Sequence, residues 1–521
     1  MARSARIWVR VNIEMTNTRT IARNTGWYGL ETVISAVVSL VTSIAIARTL
    51  GPTKMGYIVY VSYIANLTSS LGGFGVPATT RKYMAEFIGM GDRGTARYIY
   101  LRTLLLQAGL ASLATAGILV WVLRDANADY RLAAILLVLS IWPGMVNAIS
   151  AQANVATENL ATNLPASIAS ALIYFIAIAA TVVFHWGVVG VGAAMLAMRS
   201  ADFLVRVFPT MKRILSWGGS HIQPAGLRDR MIKFAALSVT SMIVSLIVWD
   251  RSELLLLKHL CADIRQIAFY NLAFTMANNL LMGSLIFGSA TGATIYAQYG
   301  RDKSRLPAIA ASAFRYLALT AIPLHVIAAS LAVPALLLLY GHAYAGAAMV
   351  VAIAPILCMP KAFIAPATGL LQSHERQGFV IGATVFAGIV DITVAWLLIR
   401  THGAVGACIG SGVAQITAVT IVWAVGIRLY HVRLPWLLVI KVVFASVLAS
   451  LTAHLIAVRM PPLPGILCGG CASLIVLFGL FYLMRVLEPE DRARFGILNR
   501  MLPQTMVGLA DSILDLLIPA E

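Results

Sequence analysis

Residues 379–399 read FVIGATVFAGIVDITVAWLLI. About twenty apolar residues run together with one carboxylate, Asp391, near the middle. As a helix at 1.5 Å rise per residue, such a run spans the roughly 30 Å hydrocarbon core of a bilayer. Similar runs occupy Trp27–Ala47, Leu101–Leu123, Leu164–Phe184 and Ile466–Met484. In lipid every backbone polar group must be satisfied inside the segment, so these runs are read as helices. The pattern repeats almost from end to end, and the fold class is all-α: a polytopic integral membrane protein of about 14 transmembrane helices.

Composition agrees. Of 521 residues, 60% are hydrophobic and 12% charged, and the mean hydropathy is +0.84. The longest internal connections, Pro77–Ile99 and Pro209–Lys233, are too short for a folded catalytic domain. No phosphate loop, nucleophile elbow or paired-carboxylate pattern lies outside the spans, so no catalytic residue, cofactor or metal site is expected. The histidines lack metal-like spacing. Cys468-Gly-Gly-Cys471 has redox-like spacing, but it sits among small residues in an apolar run and reads as helix packing.

The net charge of +18 points to topology and not to nucleic acid. With loops assigned alternately to the two sides, about 28 of the 39 Lys and Arg fall on one side and about 8 on the other. The rich side carries Arg3, Arg19 and Arg23, then Arg81, Lys82 and Arg93, later Arg228, Arg230, Lys303 and Arg305, and finally Arg492 and Arg494. By the positive-inside rule both termini are cytoplasmic.

The organisation expected is a basic N-terminus (1–25), a six-helix lobe (26–208), a linker (209–233), a second six-helix lobe (234–430), two further helices (431–485) and a tail (486–521). The ninth run, 306–340, is too long for one upright helix, which predicts a tilt or a break near Pro323 or Pro334. The tenth is read as a single span, 347–371. In the tail Val507, Leu509, Ile513, Leu516 and Leu517 lie opposite Asp511 and Asp515, predicting an amphipathic helix on the membrane or on the protein. A faint repeat supports pseudo-symmetric lobes: Ala65-Asn66-Leu67 and Phe74-Gly75 reappear as Ala277-Asn278-Asn279 and Phe287-Gly288, about 210 residues later.

A charge within the hydrocarbon costs roughly 2.5–3.5 kcal/mol on insertion scales, so each one asks for a reason. Arg199 and Asp202 share a helix face, as do Asp250 and Glu253, with Arg251 pointing away. Lys361 follows Pro360, Asp391 interrupts its run alone, and Glu31 lies in the first span. In a functional reading Arg199, Arg251 and Lys361 contact an anionic substrate, while Asp250, Glu253, Asp391 and Glu31 bind Na⁺ or H⁺. In a structural reading the same charges form buried ion pairs or snorkel to an interface. Asn66, Asn278 and Asn279 read as hydrogen-bonding glue between helices or as sugar ligands.

Four stretches resemble a known family. Ile46-Ala47-Arg48-Thr49-Leu50-Gly51-Pro52 through Gly56-Tyr57, and Phe74-Gly75-Val76-Pro77 with Thr80-Arg81-Lys82-Tyr83, are similar to the first turn and second helix end of bacterial polysaccharide flippases. Trp249-Asp250-Arg251 and Ala268–Ala273 resemble the opening of their second half. The resemblance implies the multidrug/oligosaccharidyl-lipid/polysaccharide exporter superfamily, with two six-helix bundles working by alternating access in the bacterial inner membrane. It further implies a polyprenyl-diphosphate-linked oligosaccharide as substrate, and polymerases or glycosyltransferases as partners. The lipid II flippase branch, also fourteen-helical, implies several arginines lining the first half, where this sequence offers only Arg48, at a span end, and Arg199. The rival readings are a cation-coupled multidrug antiporter of the same superfamily and a membrane-embedded polysaccharide biosynthesis enzyme.

Overall fold

The computed structural model describes residues 2–125, 128–219, 226–299, 301–488 and 491, with the backbone alone for 2–36. The amphipathic tail predicted around Val507–Leu517 and the side chain of Glu31 fall outside what is described. The elements are α1 (Ala2–Leu71), α2 (Val76–Gly89), α3 (Arg93–Asp125), α4 (Arg131–Leu139), α5 (Ile141–Ala156), α6 (Leu164–Val183), α7 (Gly187–Leu215) and α8 (Leu227–Trp249). They continue as α9 (Glu253–Leu260), α10 (Arg265–Tyr299), α11 (Leu306–Tyr340), α12 (Ala348–Cys358), α13 (Ile364–Ser373), α14 (Gln377–Tyr430), α15 (Trp436–Arg459) and α16 (Pro462–Leu483). Among the described residues there is no strand.

Eleven described helical stretches are long and apolar enough to cross a membrane, against the fourteen spans expected. Two long elements carry sharp internal turns. α1 turns at Gly51 (φ 68°), just before Pro52. α14 turns at Gly403 (φ 52°, ψ −125°), a backbone conformation that a side chain with a Cβ rarely adopts. The Ala404 amide, freed by that turn, donates to Gln266 Oε1 at 3.0 Å, so the new helix starts with a satisfied donor.

Of the tilt or break expected in the ninth run, no break is present, and the reading of the tenth run needs correction. α11 runs unbroken for 35 residues through Pro323 and Pro334. Each proline removes only one intrahelical bond, and α12, α15 and α16 pack against this helix and hold it. The tenth run, read as one span, is instead interrupted. α12 ends at Cys358, Met359–Phe363 tightens into a 3₁₀ turn, and α13 resumes at Ile364. Pro360 has no N–H to offer the preceding turn, and Pro366 follows one turn into α13.

The chain divides into two compact units, Met1–Ile243 and Val244–Glu521. The division falls inside α8. The reason lies in the start of that helix. Leu227 is buried with Tyr83, Met84, Phe87, Ile99 and Ile149, and Met231 and Phe234 pack on the same cluster. In the first unit Gly75 (φ 69°) lets α2 begin against α8, because a Cβ there would lie 2.5 Å from the Ala235 carbonyl oxygen.

In the second unit Val248 is buried with Ala387, Ala414 and Ala418. α15 and α16 pack on each other and on α11. Their close approach depends on small residues: a Cβ on Gly465 or Gly469 would press on the Ala457 or Ala453 carbonyl. Cys468 and Cys471, on the same helix, are exposed and unpaired. Large apolar side chains point outward in quantity, with Leu113, Ile475 and Leu483 each more than 70% exposed. In water such a surface would aggregate, and in lipid it is solvated.

Candidate functional site

The first unit encloses a cavity of about 410 Å³, within the range typical of ligand sites. It is lined from α1 by Asn66, Ser69 and Ser70, from α3 by Gln107, from α5 by Gln152 and from α8 by Ser238. Two cations, Arg81 and Arg199, complete the polar lining, and none of the lining residues is acidic. Arg199 reaches the cavity beside Gly144, where even a Cβ would meet its side chain only at ordinary van der Waals distance, 3.6 to 3.8 Å. Its Nη2 donates to Asn66 Oδ1 at 3.0 Å, so α7 holds the residue and α1 aims it.

The pairing of Arg199 with Asp202 suggested by their shared face does not form as a hydrogen bond. Asp202 takes Arg206 instead, one turn on, at 2.6 Å. It also accepts from Asn147 Nδ2 at 2.5 Å, and Arg206 donates to Ser167 at 3.2 Å. Asp202 thus ties α5, α6 and α7 together, and Arg199 is left to the cavity side. The i,i+4 geometry wins because it brings the guanidinium alongside the carboxylate with two donors, Nε and Nη2.

The second unit holds a different polar cluster. α8 ends at Trp249 and α9 starts at Glu253, so Asp250 and Glu253 do not share a helical face as the sequence suggested. Arg251 lies in the break. It contacts Asp250 at 3.5 Å, donates to Asn271 Oδ1 at 2.5 Å and lies over the Phe274 ring at 5.5 Å. Lys361, carried by the 3₁₀ turn, donates to the Trp249 carbonyl at 3.0 Å and reaches Asn278 Oδ1 at 3.5 Å. The last carbonyls of a helix have no intrahelical partner, and Lys361 caps one of them. Asn271 and Asn278, two turns apart on α10, present one face to both cations.

Glu253 and Asp391 form the most secluded part of the site. Both are buried, with 0% and 1% of their surface exposed. Glu253 Oε2 accepts from the Tyr270 hydroxyl at 2.6 Å. Its other oxygen, and both oxygens of Asp391, find no donor among the described residues. The two carboxyl groups are close enough to interact directly, and Ser411 lies beside Glu253. Asp391, solitary in the sequence, therefore has a neighbour brought by the α8–α9 break. Two carboxylates side by side in a water-excluded place cannot both keep a full charge without a proton or a cation between them.

Sequence reading passed over several of these residues. Gln107 and Gln152 are polar positions inside apolar runs, a signal weaker than that of a charge, whose insertion cost is larger. Arg81 was placed in a basic turn and turns out to line the cavity. Asn271 and Tyr270 lie in the stretch Ala268–Ala273 that carries the family resemblance, but nothing local in the sequence marks either as a site residue.

No family model and no curated protein matches the sequence. Solved structures do match the fold. The lipid II flippase MurJ in an inward closed conformation aligns with a TM-score of 0.70 at 12% identity, over 88% of this chain and 98% of that one. An inward-facing multidrug resistance MATE family transporter of the MOP superfamily aligns at 0.61 and 16%, over 76% and 95%. A MOP superfamily transporter from Pyrococcus furiosus aligns at 0.56 and 14%, over 78% and 94%. The chain has the fold of these flippases and transporters.

Proposed function

We propose that this protein is a flippase of the polysaccharide branch of that superfamily. It moves a polyprenyl-diphosphate-linked oligosaccharide from the cytoplasmic to the outer leaflet by alternating access, with both termini in the cytoplasm. The observation that carries this reading is the cavity of the first unit: two guanidinium groups, no acid, and a lining of amides and hydroxyls. Such a site is matched to an anionic headgroup bearing sugar hydroxyls, and it repels the cations that a multidrug antiporter takes. The longer reach of the flippase alignment, 88% of the chain against 76% for the MATE transporter, supports the same choice.

In this mechanism Arg199, oriented by Asn66, and Arg81 hold the diphosphate. The lipid tail stays in the bilayer while the sugars cross the wet cavity. The Glu253–Asp391 pair binds the driving ion, Na⁺ or H⁺, because it alone among the described residues joins two buried carboxyl groups. Arg251 and Lys361 neutralise and cap the α8–α9 break that brings Glu253 to Asp391, so they support ion binding.

The test is the leaflet occupied by lipid-linked oligosaccharide in a deletion strain, read with a membrane-impermeant oxidant on intact spheroplasts. Accumulation in the cytoplasmic leaflet, corrected by the native protein and not by Arg199→Ala, is the expected outcome. A normal leaflet distribution together with lost drug efflux would move the assignment to the multidrug antiporter.

A further inference from the structure

Gln107 is 1% exposed, yet it lines the cavity of the first unit. Neither its Nε2 nor its Oε1 has a hydrogen-bond partner among the described residues. Buried amides are almost always paired, so a side chain with both ends open at a cavity wall awaits a ligand. Across the same cavity the buried Oε1 of Gln152 is open too. By contrast the hydroxyl of Ser69 is already spent on the Ala65 carbonyl at 2.9 Å, and Asn66 is occupied by Arg199. Among the buried polar side-chain atoms of this wall, those left without a partner therefore belong to two neutral amides.

From this geometry we infer that Gln107 is the sugar-reading residue of the site, and that its target is a pair of adjacent hydroxyls on a neutral sugar ring. A primary amide presents a donor and an acceptor side by side in one plane. Vicinal hydroxyls complement it: one accepts from Nε2 while its neighbour donates to Oε1. Gln152 adds an acceptor for a third hydroxyl. A carboxylated or phosphorylated sugar would leave Oε1 facing a second acceptor, so the amide selects against acidic substituents at that position. This assignment rests on the flippase reading and goes further by stating what part of the glycan is recognised, and by which residue.

The experiment measures binding of two probes to the full chain in nanodiscs by native mass spectrometry: polyprenyl diphosphate, and the same lipid carrying one neutral hexose. The native protein should prefer the glycosylated lipid. Gln107→Leu, of similar volume, should bind it about tenfold more weakly, the loss of one to two neutral hydrogen bonds, with the bare lipid unaffected. Arg199→Ala should weaken both probes together. If Gln107→Leu lowers both probes equally, or keeps the preference for the hexose, the sugar-reading role is wrong while the flippase reading stands. If the native protein binds neither probe, the flippase reading falls and the Gln107 assignment falls with it.

Discussion

Asp391 shows how one residue changes meaning once its neighbours are known. In the sequence it is a single carboxylate among some twenty apolar residues, and in the fold it faces Glu253, which is itself held by Tyr270 and flanked by Ser411. A group that binds the driving ion is expected to carry the coupling, and coupling free energies of 1–3 kcal/mol correspond to about 5- to 150-fold. Asp391→Asn should therefore abolish the response of transport in proteoliposomes to an imposed Na⁺ or pH gradient, leaving lipid binding intact. Glu253→Gln should do the same. Melting temperatures at or above that of the native protein would accompany the loss, since each change removes one of two crowded acids. Undiminished gradient response in both variants would make the pair structural. Arg206–Asp202 is the internal contrast: a buried bridge with every partner inside the first unit, where removal should cost stability and leave coupling alone.

At the scale of elements, the breaks place the chemistry. The α8–α9 discontinuity exposes the Trp249 carbonyl to Lys361, and the 3₁₀ turn after Cys358 delivers that lysine. Gly75 starts α2 at φ 69° and lets it lie against α8, with no space for a Cβ beside the Ala235 backbone. A left-handed residue with a Cβ costs about 1–3 kcal/mol before any clash is added. Gly75→Ala should thus lower the thermal unfolding temperature in detergent by several degrees, while Gly382→Ala, whose Cβ meets nothing within 4 Å, should leave it unchanged. Equal effects of the two substitutions would show that the α2–α8 contact is slack.

For the whole molecule the decisive property is an outward-facing apolar surface, and the basic turns of the sequence are assigned to one side by the alternation of spans. The sidedness proposed from those turns predicts labelling. In a chain freed of its five cysteines, Lys303→Cys should react with a membrane-impermeant maleimide only after the cells are opened. His342→Cys should react in intact cells. The reverse pattern would invert the topology and with it the direction of transport. The fold was largely legible because lipid imposes a length and a polarity on every span, and both are written in consecutive residues. The site was legible only in part. The intramembrane charges stood out by their insertion cost, whereas Gln107, Asn271 and Tyr270 are polar or aromatic residues of a kind that any helix carries.

What the sequence determined by itself is the class of structure: helical, membrane-spanning and rich in basic turns that alternate along the chain. These follow from local terms, namely hydropathy over about 20 residues and charge at the ends of spans. Only the tertiary structure decided who meets whom. It gave Asp202 to Arg206 and Arg199 to Asn66, brought Glu253 to Asp391 from more than a hundred residues away, and left the Gln107 amide open at a cavity wall. Such pairings depend on helix breaks and on the close approach of small residues, and these act between segments distant in the chain, where no local pattern records them.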